Sequence, residues 1–495
     1  MNDKLNNALS EISGRHIEEA ADAKKKRRPY WIGAVAAVLA VAVLAGILWN
    51  PGGKLPTVLG TKPANIGDPV SPQSPSLLKL ANMVSAAEYP EMAPIPNYLA
   101  YEDYKDYEAA YTLWRQDQKT QYDQPDGYAD SLADYFRKSI STFLSGEENG
   151  ACSPVNVYMA LAMLAECTDG GSRQQILDLL GADSIESLRT QAGLLWNAHY
   201  SADGQTTLTL SNSLWLDESY DFHEALTDLL AGSYYASAFH GDLGTNEMNR
   251  QLQTWLDSQT GGLLTEQASN VEMSPATVFA LASTVYFAAG WDRDFSKSAT
   301  SDALFHCTDK ELMTPFMHDS FTGTYYWGEN FGAVRLEMTG SNSMWLILPD
   351  EGVTVAQILE SGDYLEMTLA PDAWDRRQCC QIHLSLPKFD VVSQSDLCDG
   401  LMEMGITDVF DPTVSDFSPT TDAGNLYVSE VNHAARVTID EEGCVAAAFT
   451  VLMMEATGMP QSPDREIDFN LDRPFAFVVS SRDNLPLFAG TVVEP

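Results

Sequence analysis

The side chains that most often carry catalysis are present in this chain without the spacing that catalysis needs. His223-Glu224 begins like the helical motif that holds a catalytic zinc, but no second histidine completes it. No Gly-x-Ser-x-Gly turn presents a serine to a base, and the eight histidines include no pair at metal-ligand spacing. Seven cysteines, Cys152, Cys167, Cys307, Cys379, Cys380, Cys398 and Cys444, show no Cys-x-x-Cys spacing and leave at least one unpaired. Neither a zinc site nor a disulfide framework is therefore expected. Cys379 and Cys380 sit in strand-like sequence, where neighbours face opposite ways, and read as packing residues. The chain is expected not to be an enzyme, and to hold no metal or cofactor.

One segment invites chemistry done to the chain rather than by it. Residues 443–458, Gly-Cys-Val-Ala-Ala-Ala-Phe-Thr-Val-Leu-Met-Met-Glu-Ala-Thr-Gly, hold one charge, Glu455, and no proline. Standing alone, such a stretch reads as a buried strand, and the preceding Val437-Thr438-Ile439 alternates like one. Yet Met459 to Asp468 is polar and contains Pro460 and Pro463, so a strand here would end in a long exposed connection.

The elements that must position this segment lie in a chain of uneven composition. Residues 1–28 carry seven basic and five acidic side chains, leaving 29 − 7 = 22 basic against 69 − 5 = 64 acidic in the rest. A body near −42 repels nucleic acid and argues against a heparin-like activator. After the basic block Lys24 to Arg28, residues 30–49 are uncharged and flanked by Tyr30, Trp31 and Trp49. About 20 residues at 1.5 Å each span a hydrocarbon core. The stretch reads as an uncleaved anchor (29–49), with a cytoplasmic tail (1–28) and everything after Asn50 outside the cell membrane. Residues 50–127 read as a stalk, proline-rich to Pro75, then acidic with Tyr101, Tyr104, Tyr107 and Tyr111 on one helical face. That second part is a spacer able to pack on the domain behind it. From 128 to 495 helical and strand patterns alternate without a linker, as one α+β domain. Its first helix carries the stripe Leu132, Tyr135, Phe136, Ile140, Phe143, Leu144; Ser153-Pro154 opens a second, which Gly170-Gly171 is expected to end.

Within that domain Ser153-Pro154-Val155, Ala160 to Met163 and Gly171-Ser172 resemble the helix-B signature of the serpins. The resemblance continues in order through Asn249, Trp255, Thr260 and Leu264; Val285-Tyr286-Phe287 with Gly290-Trp291, then Phe295, Thr300 and Phe305; Met344 to Pro349; Leu386-Pro387-Lys388-Phe389; Glu441-Glu442-Gly443; and Asp472-Arg473-Pro474-Phe475. It implies three β-sheets, about eight or nine helices and an exposed reactive-centre loop. The implied function is inhibition of extracellular serine proteases: the loop is cut, an acyl-enzyme forms, and the loop inserts into the central sheet as a new strand. The implied hinge runs Glu441, Glu442, Gly443, Cys444, Val445, Ala446, Ala447, Ala448, Phe449, Thr450, and the scissile bond is Thr457-Gly458 within 456–459. A small scissile residue suits elastase- or subtilisin-like proteases. Alternation puts Cys444, Ala446, Ala448 and Thr450 on one face, all small, which is the face expected inward. Departures from the family are Cys444 for threonine and the bulky Phe449. The sheet-opening region corresponds to Ser153, Asn156, Ser283 and His433, with Trp291 near the insertion point; Asn156 and Ser283 exchange the family's usual serine and asparagine, preserving an amide and a hydroxyl near His433. The expected molecule is a monomer, membrane-tethered and of bacterial type, with a covalent protease complex as its product. The alternatives are a non-inhibitory surface binding protein and an inhibitor of papain-like cysteine proteases.

Overall fold

A computed structural model describes residues 80–101, 103–125, 127–444 and 465–495. The expected tail (1–28), the expected anchor (29–49), the proline-rich part of the expected stalk, the expected hinge residues Val445 to Thr450 and the expected scissile bond Thr457-Gly458 lie outside these residues. Among the described residues no helix is long and apolar enough to cross a membrane.

The α-helices are α1 (Tyr104–Tyr122), α2 (Ala133–Phe143), α3 (Pro154–Cys167), α4 (Gly170–Leu180), α5 (Ile185–His199), α6 (Glu224–Tyr234), α7 (Asn246–Gln259), α8 (Thr265–Ser269), α9 (Val355–Ser361), α10 (Asp363–Leu369) and α11 (Cys398–Glu403). The strands are β1 (Met83–Ser85), β2 (Gly150–Cys152), β3 (Ser201–Ala202), β4 (Thr206–Asp217), β5 (Ala236–Gly241), β6 (Phe279–Gly290), β7 (Ser301–His306), β8 (Glu311–Trp327), β9 (Phe331–Met338), β10 (Asn342–Pro349), β11 (Arg377–Pro387), β12 (Phe389–Asp396), β13 (Asn432–Ile439), β14 (Gly443–Cys444), β15 (Glu466–Asn470), β16 (Phe475–Ser480) and β17 (Pro486–Val492). Eleven α-helices among the described residues exceed the expected eight or nine, because α1 precedes the expected domain and short helices such as α8 left little periodicity to read.

The strands form two ladders rather than three sheets. The first runs β1-β5-β4-β6-β14-β13-β12, with β3 on β4; the second runs β15-β11-β8-β9-β10-β16-β17-β2, with β7 on β8. The second joins what the resemblance counts separately, because β8 is 17 residues long. Most of its length pairs with β7 and β11, and its last turn of pleat, Tyr325 to Trp327, pairs with β9. The first sheet is covered on both faces: every residue of β4 is buried, with Leu210 and Leu214 in the main core and Trp215 stacked on Phe239 in a smaller one under α7.

The segment before Tyr128 is built into this body. β1 extends the first sheet at its β5 edge, Met83 opposite Phe239 and Ser85 opposite Ala238. Asn82 and Gln251 of α7 exchange amide bonds, and Tyr89 stacks on Trp196 of α5 at 5.6 Å. Asp103 caps α1 by accepting from the Lys105 amide, so Tyr101 precedes the helix, though its ring still lies 5.9 Å from that of Tyr107. The Tyr122 ring lies 3.6 Å under the Arg482 guanidinium, and Tyr128 donates to Asp483 at 2.7 Å. The described residues from Leu80 to Tyr122 thus pack on the body that follows Tyr128. Gly170 and Gly171 differ from expectation as well. α3 ends at Cys167, and the glycines open α4 behind Asp169, whose carboxylate accepts from the Gly170 amide; Gly170, at φ +55°, makes the reversal between the helices.

Candidate functional site

Ser153-Pro154 starts α3 as the sequence predicts: Ser153 is the N-cap, accepting from the Asn156 amide, and proline takes the first turn, where its missing N–H costs nothing. The same Ser153 hydroxyl donates to the Leu487 carbonyl at 2.6 Å, and the Ser153 amide donates to His433 Nε2 at 3.2 Å. α3 therefore holds β13 and β17 through one residue. One turn on, the Asn156 side chain reaches β6: its Nδ2 donates to the Ser283 carbonyl at 3.2 Å, and its Oδ1 lies 2.5 Å from Ser283 Oγ. The Asn156 amide and the Ser283 hydroxyl bond each other directly. His433 is engaged by the Ser153 backbone instead. Asn212 of β4 completes the set, its Oδ1 2.9 Å from Ser283 Oγ and its Nδ2 donating to the Tyr234 carbonyl at 2.8 Å. One hydroxyl proton thus faces two amide oxygens, which ties β4, β6 and α3 together at a single side chain. Burial depresses the His433 imidazole to a pKa of about 4, so it is neutral and accepts from Ser153 at ordinary pH.

At the other end of the sheet a second cluster holds residues 440–443, where the expected hinge begins. Trp291 clasps it twice, donating Nε1 to the Asp440 carbonyl at 2.9 Å and its amide to the Glu442 carbonyl at 3.1 Å. Glu441 is buried and accepts from Lys388 Nζ at 2.7 Å and Thr300 Oγ1 at 2.8 Å; Glu442 pairs with exposed Lys297 at 2.5 Å. Burial opposes ionisation of Glu441, but the bonds from Lys388 and Thr300 outweigh it and hold the carboxyl below the usual carboxylate range. The Asp440 carboxylate accepts from the Glu442 and Gly443 amides and turns the chain. Gly443 follows at φ +150°, where a Cβ would lie 2.4 Å from the Ala289 carbonyl oxygen, so only glycine fits between the flanking strands.

From there β14 enters the sheet. Gly443 and Cys444 lie opposite Gly290 and Ala289 of β6, while Cys444 lies opposite Ile439 of β13. β6 and β13 are both antiparallel to β14, hence parallel to each other, and among the described residues they pair with β14 and not with one another. A cavity of about 430 Å³ continues between them, lined by β6 from Phe279 to Thr284, by Asn432 to Ala434 of β13, by α3 on one side and by α7 and α8 on the other. Cys444 is buried in the core with Phe287 and Val437, and burial pushes its thiol up to about 12. Its side chain starts the inward face expected for Ala446, Ala448 and Thr450, which lie outside the described residues.

All seven cysteines are free; Cys379 is exposed and Cys380 buried, as strand alternation requires. No group of three or more metal-binding side chains occurs among the described residues. Sequence reasoning missed Asn212, Lys297 and Asp440. For Asn212 a signal existed: an amide in the middle of a strand of apolar and hydroxyl side chains needs a polar partner.

Residues 132–495 match the family model Serpin (serine protease inhibitor). Among similar proteins, Serpin-ZX of Arabidopsis thaliana is 28% identical over 377 residues, covering 72% of this chain and 95% of its own. Alpha-1-antiproteinase 2 of Equus caballus is 31% identical over 352 residues, 69% of this chain and 80% of its own. Among solved structures, the native state of the thermophilic serpin Tengpin superposes with a TM-score of 0.66 at 26% identity, covering 75% of this chain and 95% of that one.

Proposed function

This chain belongs to the serpin family, whose model spans residues 132–495, and from that premise we propose that it traps serine proteases as a suicide substrate. The observation that carries the reading is the parting of β6 and β13 below β14. A strand continuing from Cys444 would run antiparallel to both, replacing a parallel arrangement by the more stable antiparallel ladder. In the proposed reaction a protease serine attacks the Thr457 carbonyl, the Thr457–Gly458 peptide bond breaks, and the Gly458 amine leaves with the proton relayed by the protease histidine. The ester to Thr457 persists because insertion carries the protease away before water attacks. Serving as bait makes the chain an inhibitor, not an enzyme, acting as a monomer.

A small residue at the cut fits elastase- or subtilisin-like pockets. We also propose that residues 30–49 anchor the inhibitor in a cell membrane with the domain outside, in a bacterial envelope; the relatives named above come from a plant and a mammal. Incubating the full chain with elastase- and subtilisin-like proteases tests the reading. A denaturant-resistant complex, with a released peptide starting at Gly458, supports it. Clean cleavage without complex makes the protein a non-inhibitory surface binder, and a complex only with papain-like enzymes moves the target to cysteine proteases.

A further inference from the structure

The bulkiest side chain of the hinge has a matching space in the body. Continuing the observed register from Cys444, residue 444 + 5 = 449 falls opposite 289 − 5 = 284 on β6 and 439 − 5 = 434 on β13. Thr284 and Ala434 are small, and they are the residues of β6 and β13 at which the 430 Å³ cavity begins. An odd offset from Cys444 reverses the face. Since Cys444 points into the core with Phe287 and Val437, a strand continued from it would turn position 449 the other way, toward the side of the cavity lined by Leu256 of α7, Leu264 and Ala268. The 20 residues 445–464 that run from Cys444 to Arg465 supply the occupant.

We propose that after cleavage Phe449 fills the outer half of this cavity, between Thr284, Ala434 and Leu256, and so fastens the new strand to α7. The inference rests on the insertion reading above and assigns to Phe449 the positioning of the inserted strand, where a bulky side chain would otherwise act as a brake. Thr450 then reaches the Ser283–His433 level on the inner face, by the same count.

The test uses the full chain, intact and nicked between 455 and 460, in guanidinium. Nicked wild type should unfold at a higher midpoint than intact. F449A should leave the intact midpoint unchanged and lower the nicked midpoint by roughly 0.5 M, as loss of a buried aromatic ring requires. A cysteine pair, F449C with A434C, should form a disulfide in the nicked protein and not in the intact one, whereas F449C with T438C should form none in either. If the wild-type midpoint does not rise on nicking, the insertion reading fails and this placement falls with it. If it rises and nicked F449A rises as far, or the 449–434 pair stays reduced while V451A or M453A lowers the nicked midpoint, the placement of Phe449 alone is overturned.

Discussion

Replacing His433 by glutamine is expected to flatten the acid side of the stability profile. His433 is buried and accepts from the Ser153 amide, so a proton on Nε2 would set a buried cation against a donor. Its pKa falls from 6.5 to about 4 on folding because burial disfavours the charged ring. A depressed folded pKa means the unfolded chain binds the proton first. The contribution is therefore fully present above the unfolded value of 6.5 and is lost as pH falls toward 4. Linkage gives a loss of about 2 kcal/mol by pH 5 and about 3 kcal/mol by pH 4. Glutamine can still accept from Ser153 through Oε1 but does not titrate. Urea unfolding of both proteins at pH 7, 6, 5 and 4 would read the difference. Parallel curves for wild type and H433Q would show that His433 is not the neutral keystone described above.

Three further outcomes follow from named contacts. S283A removes the hydroxyl between Asn156 and Asn212 and should cost about 1–3 kcal/mol of denaturant stability, the range for stranding a buried acceptor; a loss under about 0.3 kcal/mol would contradict the network. K388A leaves Glu441 with Thr300 alone; because Lys388 is partly exposed, a loss of about 1–3 kcal/mol is expected, and a double cycle with E441Q should recover coupling. N82A removes the Oδ1 that accepts from Gln251 Nε2 and the Nδ2 that donates to the His240 carbonyl, leaving the backbone bond to Gln251, and amide exchange at Phe239 and His240 should speed several-fold, while exchange in β16 stays unchanged.

Much of the central sheet and its fastening was legible because it depends on local grammar. Ser153-Pro154 spells a helix start, and the Cys379-Cys380 alternation spells a strand with one covered face. The rest depends on partners far off in the chain. β1 is three residues long with no periodicity of its own, and its pairing with β5 is set by 150 intervening residues that no window spans. The Tyr104, Tyr107, Tyr111 stripe announced a helix but not the Arg482 side chain that docks its far end at Tyr122. The glycines at 170–171 misled for a related reason: Asp169 turns an apparent terminator into a cap.

The direction of β1 sets the end of the first sheet at which the described chain begins. It enters beside His240 and Gly241 and climbs toward Ala238, so Leu80 emerges at the floor of the first sheet, near Asp217 and Phe279. Cys444 sits at its roof beside Ala289, and the 12 residues of β6 separate the two by about 35–40 Å. The chain therefore joins the first sheet at Leu80, at the end opposite to the one where β14 begins.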